Sequence, residues 1–146
     1  MEQKTIWMHF LHFGISTLLI FSTISCNKKV DYRVRAKYIF INETDSTINY
    51  PNGWEEFNVS AKDTLIYETD DDGPEFIDAN DYEPPMIGCY PCIIYFGENL
   101  CDTFPKEDLN SPLNINNYKS RKLDDRYYEF TFRYNQQMID SSDICQ

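Results

Sequence analysis

The cysteines are the side chains with the most chemistry to offer in this chain of 146 residues. They stand at five positions: Cys26, Cys89, Cys92, Cys101 and Cys145. Cys89-Tyr90-Pro91-Cys92 has the C-x-x-C spacing of thiol-disulfide enzymes, whose first cysteine lies at a helix N-terminus where the dipole stabilises the thiolate. Here Ile93-Ile94-Tyr95-Phe96 follows, which is typical of a strand. We therefore interpret the four later cysteines as structural disulfides, and thiol-disulfide exchange through Cys89 and Cys92 as the alternative.

The pairing of these four cysteines can be argued from strand geometry. A turn at Gly97-Glu98-Asn99 would place Cys101 opposite Tyr95, three residues from Cys92. That offset is about 10 Å along a strand, whereas the Cα atoms of a disulfide lie within roughly 7 Å. The spacing favours Cys101 with Cys145 and Cys89 with Cys92, which is one of the possible connectivities.

An apolar run without charge spans residues 6 to 24 and ends in small residues just before Cys26. Such a segment is typical of a secretory signal rather than of a folded element, because it has no polar face to present to water. Thr23-Ile24-Ser25-Cys26 resembles a bacterial lipobox, in which a peptidase cuts before a cysteine that carries a diacylglycerol. Thr23 stands where leucine is usual, and relaxed forms of this kind resemble lipoproteins of the Bacteroidota.

The resemblance implies a signal peptide at 1–25, lipid attachment at Cys26, a tether at 26–31 and one domain at 32–146. Two alternatives stay open. Ordinary signal peptidase also favours small residues such as Thr23 and Ser25, and the uncharged run is long enough to remain as an uncleaved anchor. Cysteine parity favours lipidation, because it leaves an even number of cysteines for an oxidising compartment.

Cleavage before Cys26 would remove both histidines, His9 and His12. The mature chain could then form neither a Ser-His-Asp triad nor a His-ligated metal site. The sequence also has no nucleophile elbow and no Gly-rich phosphate loop. We therefore expect a protein that is not an enzyme and that needs no cofactor.

The chain is strongly acidic, with a formal net charge of −11. Removal of the signal leaves that charge unchanged, because residues 1–25 contain one acid and one base, Glu2 and Lys4. Between Asp63 and Pro105 there are 11 acids and no base. Phosphate binding needs concentrated Lys and Arg, so the composition argues against nucleic acid as a partner.

Many of these acids fall within residues 69–88, which we interpret as a long acidic loop. Its weak candidates for a calcium site are Asp70, Asp72, Asp78 and Asp81, since hard cations prefer oxygen ligands. An EF-hand alignment fails, because Ala79 stands where a bidentate glutamate is required. A solvated loop is therefore the main interpretation, and a calcium-dependent adhesion module is the alternative.

Period-two alternation dominates the rest of the chain. It predicts a first strand from Tyr32 to Phe40, with Arg33, Arg35 and Lys37 between the apolar positions. Asn52-Gly53 predicts a tight hairpin that pairs Tyr50 with Glu55 and Ile48 with Phe57. Further strands are expected at Thr64 to Glu68, Cys92 to Phe96, Leu100 to Phe104 and Tyr128 to Tyr134, followed by one helical turn after Asn135.

Six or seven short strands without a long helix predict an all-β fold, either an antiparallel β-sandwich or an open barrel. With its lipobox and aromatic last strand, the chain is similar to small Bacteroidota lipoproteins with an immunoglobulin-like domain. That resemblance implies a lipid-anchored envelope protein with a binding or structural role, whose partner is an envelope protein or a glycan. Trp54, beside the Asn-Gly turn, is a candidate binding residue.

The resemblance also bears on location. The resemblance implies that a lipoprotein exported to the cell surface in the Bacteroidota has an acidic tag after the lipidated cysteine. This chain has Lys28 and Lys29 there instead. We therefore expect anchoring in the outer membrane facing the periplasm, with exposure at the cell surface as the alternative.

Overall fold

The computed structural model describes residues 32–51, 57–86, 92–106 and 108–145, and the structural statements below concern those residues. The predicted signal peptide, lipid site Cys26 and tether lie outside the described residues. So do the Asn52-Gly53 turn, Trp54 and Cys89. Within the described residues the strands form two sheets that pack as a sandwich and not as a closed barrel. The predicted all-β sandwich is confirmed.

The described strands, numbered along the chain, are β1 (Tyr32–Asn42), β2 (Ile48–Tyr50), β3 (Phe57–Val59), β4 (Thr64–Gly73), β5 (Cys92–Phe96), β6 (Leu100–Phe104), β7 (Lys119–Asp124), β8 (Tyr127–Tyr134) and β9 (Asp143–Ile144). One short helix, α1 (Gln136–Asp140), follows β8 where a helical turn is expected, and 3-10 turns lie at Ala79–Asp81 and Ile115–Asn117.

The first sheet has the strand order β4-β1-β8-β7. Its central strands, β1 and β8, run parallel, from the pair Arg35 and Tyr127 to the pair Asn42 and Tyr134. This pair differs from the wholly antiparallel arrangement that the sequence predicts. A parallel pair needs a long crossover, and four strands of the second sheet, β2, β3, β5 and β6, lie between β1 and β8 along the chain. Alternation identifies both strands but carries no information about their relative direction.

Strand β4 is longer than the sequence predicts. Its ladder with β1 continues as far as Tyr32 opposite Gly73, so Thr69–Gly73 belong to a strand and the acidic connection begins at Pro74. The predicted loop 69–88 is wrong for those five positions. The cations of β1 lie opposite the acids of β4, with Arg33 opposite Asp72, and cross-strand pairs of opposite charge allow an acidic run to extend the sheet.

The second sheet has the order β3-β2-β5-β6-β9. In its first hairpin Tyr50 pairs with Phe57 and Ile48 with Val59. The predicted register, with Tyr50 opposite Glu55, is therefore wrong by two residues, and the connection is longer than a two-residue turn. A shift of two residues leaves every side chain on its predicted face. In the β5–β6 hairpin, Tyr95 lies opposite Cys101, which confirms that predicted register.

The core between the sheets is rich in aromatic side chains. Phe40 of the first sheet meets Phe57 of the second edge to face, with ring centroids 4.6 Å apart. Leu113 and Tyr118 from the irregular segment before β7 are also buried. Aromatic side chains bury large apolar areas, so these contacts contribute strongly to holding the two sheets together.

Candidate functional site

An open groove of about 660 Å³ lies on the outer face of the first sheet, where β8 ends. We call it the β7–β8 groove. Its lining comes from three parts of the chain, namely the irregular segment before β7, the two strands and the start of α1: Leu109, Asn110, Asn117, Lys119, Arg121, Glu129, Thr131, Phe132, Arg133, Asn135 and Met138.

Strand pairing places the charged side chains of the groove on one face. Lys119 lies opposite Thr131, and Arg121 lies opposite Glu129. Arg133 is two residues beyond Thr131 on the same face, because side chains alternate along a strand. Diagonal neighbours in such a pair lie about 7–8 Å apart. The three cations are therefore the neighbours of Thr131 on this face.

Glu129 is the acid at the centre of this face, and its side chain is only 13% exposed. Its Oε1 accepts a hydrogen bond from Nη2 of Arg121 at 2.8 Å. Its Oε2 lies 3.5 Å from Nζ of Lys37 on β1. Glu129 is therefore paired with a cation on each neighbouring strand, and its hydrogen bond with Arg121 orients that side chain across the sheet.

The remaining cations leave the groove with an excess of positive charge. Arg133 forms an ion pair with Glu43, and both side chains are about half exposed. The ammonium group of Lys119 has neither an ion pair nor a hydrogen bond to any residue that the structure describes. Among the residues that line the groove, three cations (Lys119, Arg121 and Arg133) accompany one carboxylate, that of Glu129, in a molecule whose net charge is −11.

The wall opposite the strands is a fixed irregular segment. The Asn117 side-chain amide donates to the carbonyl oxygens of Asp108 and Ser111, both at 2.9 Å. The Tyr118 hydroxyl donates to the carbonyl of Pro112 at 2.6 Å. Leu109 stands at the tip of this wall with 87% of its surface exposed. The groove therefore combines an ionic strand face with an apolar tip held in place by backbone hydrogen bonds.

A smaller groove of about 440 Å³ lies on the other side of the same tip. It shares Leu109, Asn110, Asn135 and Met138 with the β7–β8 groove and adds Asp102 and Asp108. The tip thus separates a cationic surface from an acidic one.

The candidate calcium ligands have other partners. Arg33 donates from Nε to Asp70 at 3.0 Å and from Nη1 to Asp72 at 2.9 Å. Asp81 accepts the backbone N–H of Asp78 at 2.8 Å and caps the 3-10 turn between them. Among the described residues, no group of three or more His, Cys, Asp or Glu side chains is arranged to hold a metal ion.

The structure confirms one of the predicted cysteine pairs. Cys101 on β6 forms a disulfide with Cys145, with Cα atoms 5.4 Å apart. Cys92 on β5 faces the core and is 1% exposed. The predicted pairing of Cys92 with Cys89, and the binding role of Trp54, fall on residues outside the described part of the chain.

Sequence reasoning missed β7 and therefore the cationic half of the groove. Lys119, Ser120, Arg121 and Lys122 are all exposed, so this strand has no apolar alternation for a period-two search to find. The available signal is the clustering of three cations within four residues of an acidic chain.

Comparison with known proteins gives no relative: no family model, no curated protein and no solved structure matches this chain. Within the described residues, none of the helices has the length and apolar character needed to cross a bilayer.

Proposed function

We propose that this protein is a lipid-anchored component of a bacterial cell envelope, and that its β-sandwich is a non-catalytic binding module. The observation that carries the proposal is the β7–β8 groove, a concave surface whose charge is opposite to that of the whole molecule. Thr23-Ile24-Ser25-Cys26, with its likeness to a lipobox, supports the anchor at Cys26.

The chemistry of the groove supports binding rather than catalysis. Its shielded acid, Glu129, lies between Lys37 and Arg121. The chain after Cys26 contains no histidine that could exchange a proton with this carboxylate. The Cys92 side chain lies in the core, whereas a catalytic thiolate must be accessible. Lys28 and Lys29 support a position in the outer membrane facing the periplasm.

Photo-crosslinking in the native bacterium tests the binding role. A photoreactive residue at Thr131, inside the groove, should give a discrete crosslinked adduct of the full-length protein. The matched control is Asn58, an exposed position on β3 of the other sheet. An adduct pattern at Thr131 that is no different from that at Asn58 would contradict the proposal.

A further inference from the structure

Strand β7 is an edge of the first sheet, and the 3-10 turn Ala79–Asp81 approaches it. The strand is hydrogen-bonded to β8 on one side, and within the described residues no strand lies on its other side. All six of its residues are exposed. The edge of a sheet displays a row of unpaired N–H and C=O groups, which can receive another extended segment.

The charge on this edge restricts which segment it can receive. Lys119, Arg121 and Lys122 give β7 a positive character, and a bulge interrupts its regular pairing only between Lys122 and Asp124. Cations on an edge strand prevent pairing with a second copy of the same edge. They favour an acidic segment in its place, since discrimination between partners rests on repulsion as well as attraction.

We propose that β7 and the β7–β8 groove together form a docking site for an extended acidic segment of a partner protein, which adds to the first sheet as a further strand. The inference rests on the proposed binding function and specifies the ligand. Alternate side chains of the added strand would lie on the outer face, beside Lys119 and Arg121. A guanidinium has several donors, and that of Arg121 gives one to Glu129, which leaves others for an incoming carboxylate.

The lining of the groove favours a peptide over a sugar. Sugars are commonly held by an exposed aromatic face, and the aromatic side chain that lines the groove, Phe132, is buried. The exposed apolar group at this site is Leu109, which offers an aliphatic contact to a side chain of the partner. The backbone edge of β7 can pair with an extended segment, and the cations can bind its carboxylates. Leu109 can contact an apolar residue at one end of that segment.

The test is an NMR titration of the full chain in detergent micelles with a synthetic peptide of alternating Thr and Glu. We expect shifts in the amide signals of Lys119–Lys122, and at least tenfold weaker binding by a peptide in which Gln replaces Glu. Two further versions, one N-methylated at the Thr nitrogens and one at the Glu nitrogens, each have one blocked edge. One of the two should bind at least tenfold more weakly, because the edge that faces β7 can no longer form the ladder.

Protein variants provide the matched comparison. The double variant K119Q/R121Q should weaken binding of the Glu peptide at least tenfold, while K122Q should change it less than threefold. Lys122 is on the same strand, but it pairs with Asp125 and lies on the opposite side of the sheet. All three positions are exposed, so equal melting temperatures will show that the variants are folded.

Five outcomes would overturn the inference. Equal binding of the Gln peptide removes the charge argument, and undiminished binding of both N-methylated peptides removes strand addition. Tighter binding of an oligogalacturonate assigns the site to a sugar. Self-association that K119Q/R121Q abolishes assigns it to the acidic β4 of a second copy. A Thr131 crosslink that persists in K119Q/R121Q would refute the acidic ligand while leaving the binding function intact.

Discussion

The best-defined polar contact between single residues in the core joins two tyrosines. The hydroxyls of Tyr50 and Tyr134 lie 2.5 Å apart, both fully buried, one on each sheet. Burial raises the pKa of both phenols well above the usual value, so both remain neutral and one donates to the other. Since an unpaired buried hydroxyl is unfavourable, each tyrosine satisfies the other.

Removal of one of these hydroxyls should therefore be costly, and removal of both much less so. We expect Y50F and Y134F each to lower the free energy of unfolding by about 1–3 kcal/mol, and Y50F/Y134F to cost clearly less than their sum. Denaturant unfolding of the four proteins measures this. The control is Y82F, because the Tyr82 hydroxyl has no hydrogen-bond partner among the described residues and its loss should cost little. Additive effects of Y50F and Y134F would contradict the account.

The side-chain hydrogen bonds of Asn42 could not be predicted from the sequence. Asn42 is a polar residue, yet it is buried at the end of β1. Its Nδ2 donates to the carbonyls of Ser46, Val59 and Ser60 at 2.8, 3.1 and 2.9 Å. Two of those acceptors lie 17 and 18 residues away. No local sequence pattern indicates these partners, because only the folded chain brings them together.

Among the secondary-structure elements, apolar alternation predicts best the strands that face the core. β1, β5 and β8 lie close to their predicted positions, because one face of each is buried and the sequence spacing reflects that burial. β7 was missed because all its residues are exposed. The hairpin register was wrong because Asn52-Gly53 also fits a longer connection, and alternation cannot distinguish a shift of two residues. Because the groove is built on β7, the sequence does not predict the groove either.

The disulfide holds the last short strand, β9, against β6. Cys101 and Cys145 are 44 residues apart, and for a loop of that length the chain-entropy model gives about 4 kcal/mol of stabilisation. We expect C101S/C145S to lose most of this free energy of unfolding and to remain folded, because the aromatic core is intact. Denaturant unfolding with and without a thiol reductant measures it. If neither the double substitution nor the reductant changes the free energy of unfolding, the disulfide does not stabilise the fold and the prediction is wrong.

For the whole molecule, the buried tyrosines make alkaline pH the sensitive side of its stability. Burial raises the pKa of Tyr38, Tyr50, Tyr118 and Tyr134, and that of Tyr82 to about 12. In the unfolded chain a tyrosine ionises near pH 10. The stabilisation from neutral phenols is therefore complete below about pH 10 and is lost as the pH rises through the folded values.

We accordingly expect cooperative unfolding above about pH 10, with the contribution of Tyr82 lost between about pH 10 and 12. Near-ultraviolet circular dichroism and tyrosinate absorbance, followed in one titration, should show that the ionisation of the buried tyrosines coincides with the loss of tertiary structure. Full ionisation of all the tyrosines in a protein that stays folded would contradict this prediction.

The charge of the whole molecule is also unevenly placed. The first sheet has acids along β4, with Glu68, Asp70 and Asp72, and cations along β7 at its opposite edge. A net charge alone would predict a uniformly acidic surface, and only the strand order reveals a cationic edge. This separation of charge is why the groove can attract an acidic partner in an acidic protein.

Mass spectrometry of the protein purified from its native membrane tests the anchored binding module most directly. The account predicts an N-terminus at residue 26, with a diacylglycerol thioether on the sulfur of Cys26 and no residues of the apolar segment before it. A chain that begins elsewhere, or that carries Cys26 as an unmodified thiol, would contradict the proposed anchor.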